Sequence, residues 1–354
     1  MRLTVFFASE AGRELAQRLK SRLPGHEWLE PAPGAGLKEQ VARAWEGAEG
    51  LIFIMASGIV VRLLAPLLRH KALDPAVLVL DARGQFVVSL LSGHLGRAND
   101  LAREVAAVLG ATPVITTATD ALGKTAVETW AGRLGLKVAN PEGLVKINGA
   151  LIREEPIRIY SEWPPEALGG EDWEPGQTTW RPLAELPRAP AGTATVAITV
   201  SRWGAPGADL ELVVPTLVVG IGCRRGAGKD TLRRALEEVF GPRKWPLAAI
   251  QKLASVTLKR DEDGLWKLAR ELKVPVEFYE PEELQEVLDA MPELQQSSYV
   301  KEKIGVGAVC EPAAVLGSRW GKLLVRKQKY RGVTVAVAQA ASALSASVRA
   351  WPGT

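Results

Sequence analysis

The run Leu51-Ile52-Phe53-Ile54-Met55-Ala56-Ser57-Gly58-Ile59-Val60-Val61-Arg62 decides how the first part of the chain is read. The apolar block Leu51–Met55 is short enough for a strand, and small turn residues hand it over to the helix-like stretch Ile59–Leu68. The same alternation extends in both directions. Leu3–Phe7 reads as a strand and is followed by a helix from about Ala11 to Leu23. Val77–Leu80 and Phe86–Val88 are short strands on either side of the turn residues Arg83-Gly84. Leu95, Ala98, Leu101, Ala102, Val105, Ala106 and Leu109 then fall on one helical stripe. Pro113–Thr116 is a further strand, and Lys124–Leu134 a further helix. Strands alternating with helices predict a mostly parallel sheet covered on both faces.

The chain is 354 residues long, too long for one ordinary core. The patterns divide it into an N-terminal parallel-sheet α/β domain (1–135), a small middle α/β domain (136–214) and a C-terminal α/β domain (215–354). In the middle, Val145–Ile152 and Ile157–Tyr160 are fragments of regular structure, and Val196–Val200 and Leu210–Val214 are strands. Glu162–Gly192, rich in Pro, Gly and Trp, predicts an extended loop or flap. Further on, Leu217–Ile221 reads as a buried strand and Leu232–Phe240 as a helix capped by Thr231 or Asp230. Leu265–Leu272 and Glu282–Leu288 are helices flanking a strand at Val276–Tyr279, and Leu323–Arg326 pairs with Val333–Ala338 as a hairpin. The small, polar tail after Ala340 is expected to fray.

Apolar residues at 47% and charged residues at 24% are the balance of a globular protein. The net charge of +4 is mild and not gathered into long basic runs, which argues against nucleic-acid binding. The short clusters Arg224-Arg225 with Lys229, Lys259-Arg260, and Arg326-Lys327 with Lys329 suit a small polyanion better than a duplex. Two cysteines cannot build a disulfide framework, so a reducing compartment is the default. Three histidines without a Cys-x-x-Cys predict no metal site. No signal-peptide pattern opens the chain, and no apolar run approaches the ~20 residues needed to span a bilayer. The expectation is a soluble cytoplasmic protein without membrane contact.

Three strand-to-helix junctions carry the candidate chemistry. They are Ala56-Ser57-Gly58 running to Arg62, Ser92-Gly93-His94-Leu95-Gly96-Arg97-Ala98-Asn99, and Thr116-Thr117-Ala118-Thr119-Asp120. In a parallel sheet all three lie at the carboxyl edge, where ligands of such folds bind and helix starts favour anions. Ser57, Ser92 and Thr119 read equally well as simple helix caps. His94 is the only histidine at such a turn, and a pKa near ~6.5 suits it to proton transfer. In the last domain Gly220–Asp230 looks at first like a phosphate loop. Cys223 stands where a Walker A motif needs glycine, and Asp230 where it needs a hydroxyl, so ATP binding is not expected. Gly305–Ala314 reads as a strand turning into a helix, with Glu311 either a cap or a catalytic carboxylate.

Taken together these blocks resemble the cobalt-precorrin-5A hydrolase family, the CbiG type of cobalamin biosynthesis protein. The N-terminal resemblance rests on Gly58–Arg62 with Ala65-Pro66-Leu67, Lys71, Asp74–Val77, Ser89–Gly96 with Ala98-Asn99, and Val114–Asp120. The C-terminal resemblance rests on Val219–Arg224, Ala254-Ser255 with Lys259 and Asp261-Glu262, and Val309–Ala314. The family often shows Gly-Gly-Ala-Asn after Ser-Gly-His, where this chain has Gly96-Arg97-Ala98-Asn99. The resemblance implies hydrolysis of a δ-lactone on a cobalt-bearing tetrapyrrole, with the bridging carbon leaving as acetaldehyde. It implies no cofactor of the protein's own, because the macrocycle and its cobalt accept the electrons. It adds neighbouring pathway methyltransferases as transient contacts. Within that frame His94 is expected as general base or proton shuttle, oriented by Asp120. Ser57, Gly58, Ser92, Gly93, Asn99, Thr117 and Thr119 would line the site, and Arg62, Cys223, Arg224, Lys259 and Glu311 would meet the substrate. Two other classes compete: a non-catalytic corrinoid carrier, and a nucleotide-dependent α/β enzyme for which the glycine turns fit poorly.

Overall fold

The first unit is built on six strands: β1 (Arg2–Phe7), β2 (Glu27–Trp28), β3 (Gly50–Ile54), β4 (Ala76–Leu80), β5 (Phe86–Leu91) and β6 (Thr112–Val114). The computed structural model describes residues 1–70, 73–168, 173–174, 176–188, 190–199 and 207–340, so Lys71 and the tail expected to fray lie outside the described residues. The chain divides into two compact units, Met1–Thr129 and Trp130–Thr354. Both are mixed α/β, as the alternation of strands and helices requires.

In the first unit the sheet order is β2-β1-β3-β4-β5-β6. Strands β2, β1, β3 and β4 run parallel. Leu51–Ile54 is a continuous apolar run because both of its faces are buried. Ile52 and Ile54 pack with Leu15, Leu19, Leu101 and Val105 on one side. Leu51 and Phe53 pack with Val41, Trp45, Val60 and Leu64 on the other. Ser9 caps the helix Glu10–Arg22 by accepting a hydrogen bond from the Gly12 N–H at 3.2 Å.

One expectation fails here, with consequences for the site. Strand β5 pairs antiparallel with β4, and β6 runs parallel to β5. The cause is the tight turn at Asp81-Ala82-Arg83-Gly84-Gln85, where the Asp81 carboxylate accepts backbone N–H groups of Arg83, Gln85 and Phe86 at 3.0, 2.8 and 2.8 Å. A connection this short closes a hairpin, whereas a parallel return needs a crossover of a dozen or more residues. The ends of β5 and β6 therefore emerge at the edge opposite to the ends of β3 and β4.

The second unit holds two sheets. One contains β7 (Lys137–Val138), β8 (Ile157–Ser161), β9 (Thr178–Pro182), β10 (Ala194–Thr199) and β11 (Leu210–Val213), in the order β7-β11-β10-β8-β9. The other contains β12 (Leu217–Cys223), β13 (Ile250–Val256), β14 (Val276–Tyr279), β15 (Lys322–Tyr330) and β16 (Val333–Gln339), in the order β14-β13-β12-β16-β15. The segments expected as separate middle and C-terminal domains thus share a unit, and the Lys137 ammonium bonds the Ile250 carbonyl between their sheets at 3.0 Å.

The Trp-rich stretch is not simply a loop. Its described part supplies the edge strand β9, and Trp173 stacks on Trp130 with centroids 5.2 Å apart and both rings buried. The helix at Lys229–Phe240 starts three residues early and takes Gly228, not Thr231 or Asp230, as its N-cap. Gly305–Val309 forms bends and irregular backbone rather than a strand before the helix Cys310–Gly317.

Candidate active site

At the far edge of the first sheet, the loop leaving β5 is tightly folded. Ser92 (φ 58) and Arg97 (φ 66) both adopt the left-handed conformation that non-glycine residues avoid. The Ser92 carbonyl accepts from the Ala98 N–H at 3.1 Å, and the Gly93 carbonyl from the Asn99 N–H at 3.0 Å. Arg97 stands at the N-cap of the helix Ala98–Leu109, which is why that helix begins later than its apolar stripe suggests. Gly93 is required for space: a Cβ there would come within 2.8 Å of the Asn99 side chain.

His94 projects from this loop between two carboxylates. Its Nε2 lies 2.8 Å from Asp120 Oδ2 and its Nδ1 3.1 Å from Glu128 Oε1. The three side chains are 17%, 17% and 8% exposed, so the ring is sheltered yet reachable. Thr119 Oγ1 lies 3.2 Å from the same Nε2. Asp120 is held by further donors: the Thr117 hydroxyl at 2.6 Å, the Asn99 amide at 3.0 Å and the Arg103 guanidinium. Asn99 is buried and is itself fixed by the Ser89 hydroxyl, which donates to Oδ1 at 2.7 Å.

Burial alone pushes the His94 ring down, but hydrogen bonds to Glu128 and Asp120, together with their charges, hold its pKa above the ordinary 6.5. Burial pushes Asp120 up, yet bonds from Thr117, His94 and Arg103 outweigh it and bring the carboxyl down to about 2. When protonated, the ring can donate one N–H to each of the two carboxylates.

The remaining expected residues separate into three groups. Asn99, Thr117, Thr119 and Gly93 join His94 and Asp120. Ser92 lies on the same loop, but its hydroxyl donates to the Asp74 carbonyl at 2.9 Å, and the Thr117 hydroxyl is given to Asp120. Both hydroxyls are already committed as donors within the protein. None of Ser57, Ser92 and Thr119 caps a helix through its side chain.

Ser57, Gly58 and Arg62 do not join the cluster, because β4 and β5 are antiparallel. They lie about 16 Å away across the sheet, taking five residues at about 3.3 Å each. There Ser57 lines a cleft of about 430 Å3 with Ser9, Ile54, Val79 and Phe86. The lining of that cleft carries no titratable group other than Asp81, which holds the turn.

Cys223, Arg224, Lys259 and Glu311 are in the second unit. Burial pushes the Cys223 thiol up to about 11, which leaves no nucleophilic thiolate near neutrality. Arg224 is exposed. Lys259 is buried and committed to Glu262 at 2.9 Å, whose other oxygen accepts from the Gly226 N–H at 2.8 Å. Glu311 is fully buried; its Oε1 accepts from the Lys327 N–H at 3.1 Å, where β15 is irregular, and its Oε2 has no hydrogen-bond partner among the described residues. Glu128 and Arg103 escaped the sequence reading, since a carboxylate and a cation on helices look like ordinary surface.

Among the described residues no group of three or more His, Cys, Asp or Glu side chains is arranged to hold a metal ion. No described helix is long and apolar enough to cross a membrane. Residues 39–120 match the family pattern of the cobalamin synthesis G N-terminal region, and residues 217–338 that of its C-terminus. A cobalt-precorrin-5A hydrolase of Salmonella typhimurium is 36% identical over 348 residues, covering 94% of this chain and 96% of its own. The chain belongs to the cobalamin synthesis G family. A cobalt-precorrin-5A hydrolase of Priestia megaterium is 31% identical over 305 residues, covering 83% of this chain and 79% of its own. The crystal structure of a cobalamin biosynthesis protein G homolog from Sulfolobus solfataricus is 25% identical, covers 96% of this chain and 97% of its own, and gives a TM-score of 0.38. The N-terminal match of the cobalamin synthesis G family ends at residue 120, so it includes His94 and Asp120 but stops short of Glu128.

Proposed function

We infer that this chain is a cobalt-precorrin-5A hydrolase, a hydrolase of cobalamin biosynthesis. The name comes from its relatives, which align along nearly the whole chain and are themselves named as hydrolases. The carrier reading is not favoured for the same reason. The observation that supports a chemical role for the first unit is His94 held between Asp120 and Glu128.

Opening the lactone requires water to add at its carbonyl and lose a proton. The water oxygen ends on the freed acetate. The released alkoxide then collapses to acetaldehyde, and the electron pair of the broken carbon–carbon bond passes into the macrocycle. The protein's part is proton handling and charge placement, worth about 10²- to 10⁴-fold for a positioned acid or base. Asp120, tied by several donors, stays charged and orients the ring. The His94–Glu128 pair carries the proton lost by the attacking water away toward the macrocycle, which takes up the electron pair, so the alkoxide stays unprotonated and can collapse. His94 is the relay rather than the primary base. This reading asks for no resident cofactor, because the substrate's macrocycle and cobalt take up the electrons. It also places the protein in the cytoplasm, with neighbouring methyltransferases as transient contacts.

The test is anaerobic incubation of the purified protein with cobalt-precorrin-5A. Acetaldehyde and the matching mass loss of the pigment support the reading. Stoichiometric pigment binding without acetaldehyde rejects it in favour of a carrier.

A further inference from the structure

We propose that a cleft in the second unit, between the helix Lys229–Phe240 and the tip of the β15–β16 hairpin, is a carboxylate-binding site. The cleft has a volume of about 340 Å3 and is lined by Thr231, Arg234, Ala235, Glu238, Tyr330 and Arg331. Thr231, Arg234 and Glu238 are spaced three and four apart, so they share one stripe of the helix. The facing wall is the hairpin tip, where Gly332 takes φ 83 to turn the chain. Beside the tip, the Arg224 N–H donates to the Gly332 carbonyl at 2.9 Å, and its side chain lies against Gly332.

The charges here are disposed unlike their neighbours. Lys229 pairs with Glu271 at 2.7 Å, and Arg233 pairs with Glu271 and with Glu237 at 2.9 Å. Arg224, Arg234 and Arg331 form no ion pair among the described residues, and the hydroxyls of Thr231 and Tyr330 make no hydrogen bond there. Arg234 and Arg331 face one cleft with two idle hydroxyl donors, and the two like charges repel each other until an anion enters. Arginine's planar fork suits carboxylate, which it can grip through two parallel bonds. Glu238, on the same helix stripe as Arg234, offsets part of that attraction. This assignment rests on the hydrolase reading for its ligand: a peripheral carboxylate of the polyanionic tetrapyrrole.

The experiment compares the full-length wild type with Arg234→Gln, Arg331→Gln and Glu238→Gln. Cobalt-precorrin-5A affinity is followed by pigment absorbance, and KM and kcat by acetaldehyde release. Citrate serves as the free-carboxylate probe. Each arginine variant should raise Kd and KM about tenfold with kcat unchanged, the size expected for one partly exposed charge-assisted contact. Glu238→Gln should tighten binding about threefold, a gain that a misfolded variant cannot produce. Unchanged KM in both arginine variants, or weaker binding by Glu238→Gln, overturns the proposal. Loss of citrate binding with unchanged KM overturns the assignment to the substrate. If the wild type binds pigment through these arginines yet releases no acetaldehyde, the hydrolase reading fails and the cleft stands. Normal acetaldehyde release with an insensitive KM refutes the cleft alone.

Discussion

Replacing Asp120 by asparagine isolates the electrostatic term that holds His94 in place. Asp120 is only 17% exposed, and its pKa is brought from 3.8 down to about 2 by Thr117, His94 and Arg103 against the opposing effect of burial. At about 1.4 kcal/mol per pKa unit, that displacement corresponds to about 2 kcal/mol of folding stability near neutral pH. Asparagine also turns an amide donor toward groups that already donate. The sign follows from the depressed value: the contribution is present above the unfolded pKa and is lost as pH falls through about 2. Urea unfolding of both proteins from pH 7 down to pH 3 should show the variant less stable by about 2 kcal/mol at pH 7, with the gap narrowing to about half by pH 3. A gap below about 0.5 kcal/mol, or one that stays flat to pH 3, would refute the idea that the Asp120 charge is held by this network.

Glu128→Gln removes one of the two carboxylates that raise the His94 pKa, so the alkaline limb of acetaldehyde release should move to lower pH. An unmoved limb separates His94 from the rate. The stability contribution of His94 has the opposite pH sense to that of Asp120: full below 6.5 and lost as pH rises through its raised folded value. Gly93→Ala forces a Cβ against Asn99 and should cost about 1–3 kcal/mol in urea unfolding; a neutral result means the loop has room that the structure denies. Arg97→Gly relieves a left-handed residue and should stabilise by up to about 1 kcal/mol, read as a higher Tm; a loss instead would give Arg97 a stabilising contact.

Most of the strands were legible in sequence because buried runs such as Leu51–Ile54 and Leu217–Ile221 are apolar on both faces. Strand β13 was not, since Gln251 and Lys252 interrupt its apolar character while its buried residues fall at Leu253–Val256. Strand β9 is a polar edge strand ending in Pro182, which imitates a loop. The site was legible at His94, Asn99, Thr117, Thr119 and Asp120, where small residues, a histidine and turn chemistry meet. The error was one of direction. Arg83-Gly84 between two short strands was a hairpin signal, but the surrounding alternation favoured a parallel reading, and that placed Ser57, Gly58 and Arg62 at the wrong edge. Glu128 could not be found by motif. It meets His94 only because the turn after β6 folds back under the loop after β5.

The claim that matters most is that His94 moves a proton during lactone opening. Single-turnover release of acetaldehyde from cobalt-precorrin-5A, compared between the wild type and His94→Ala at matched pigment occupancy, measures it directly. A fall of at least about 100-fold in the alanine variant, with pigment still bound, is the predicted result. Release within about threefold of wild type would contradict the mechanism and move the chemistry away from this edge of the sheet.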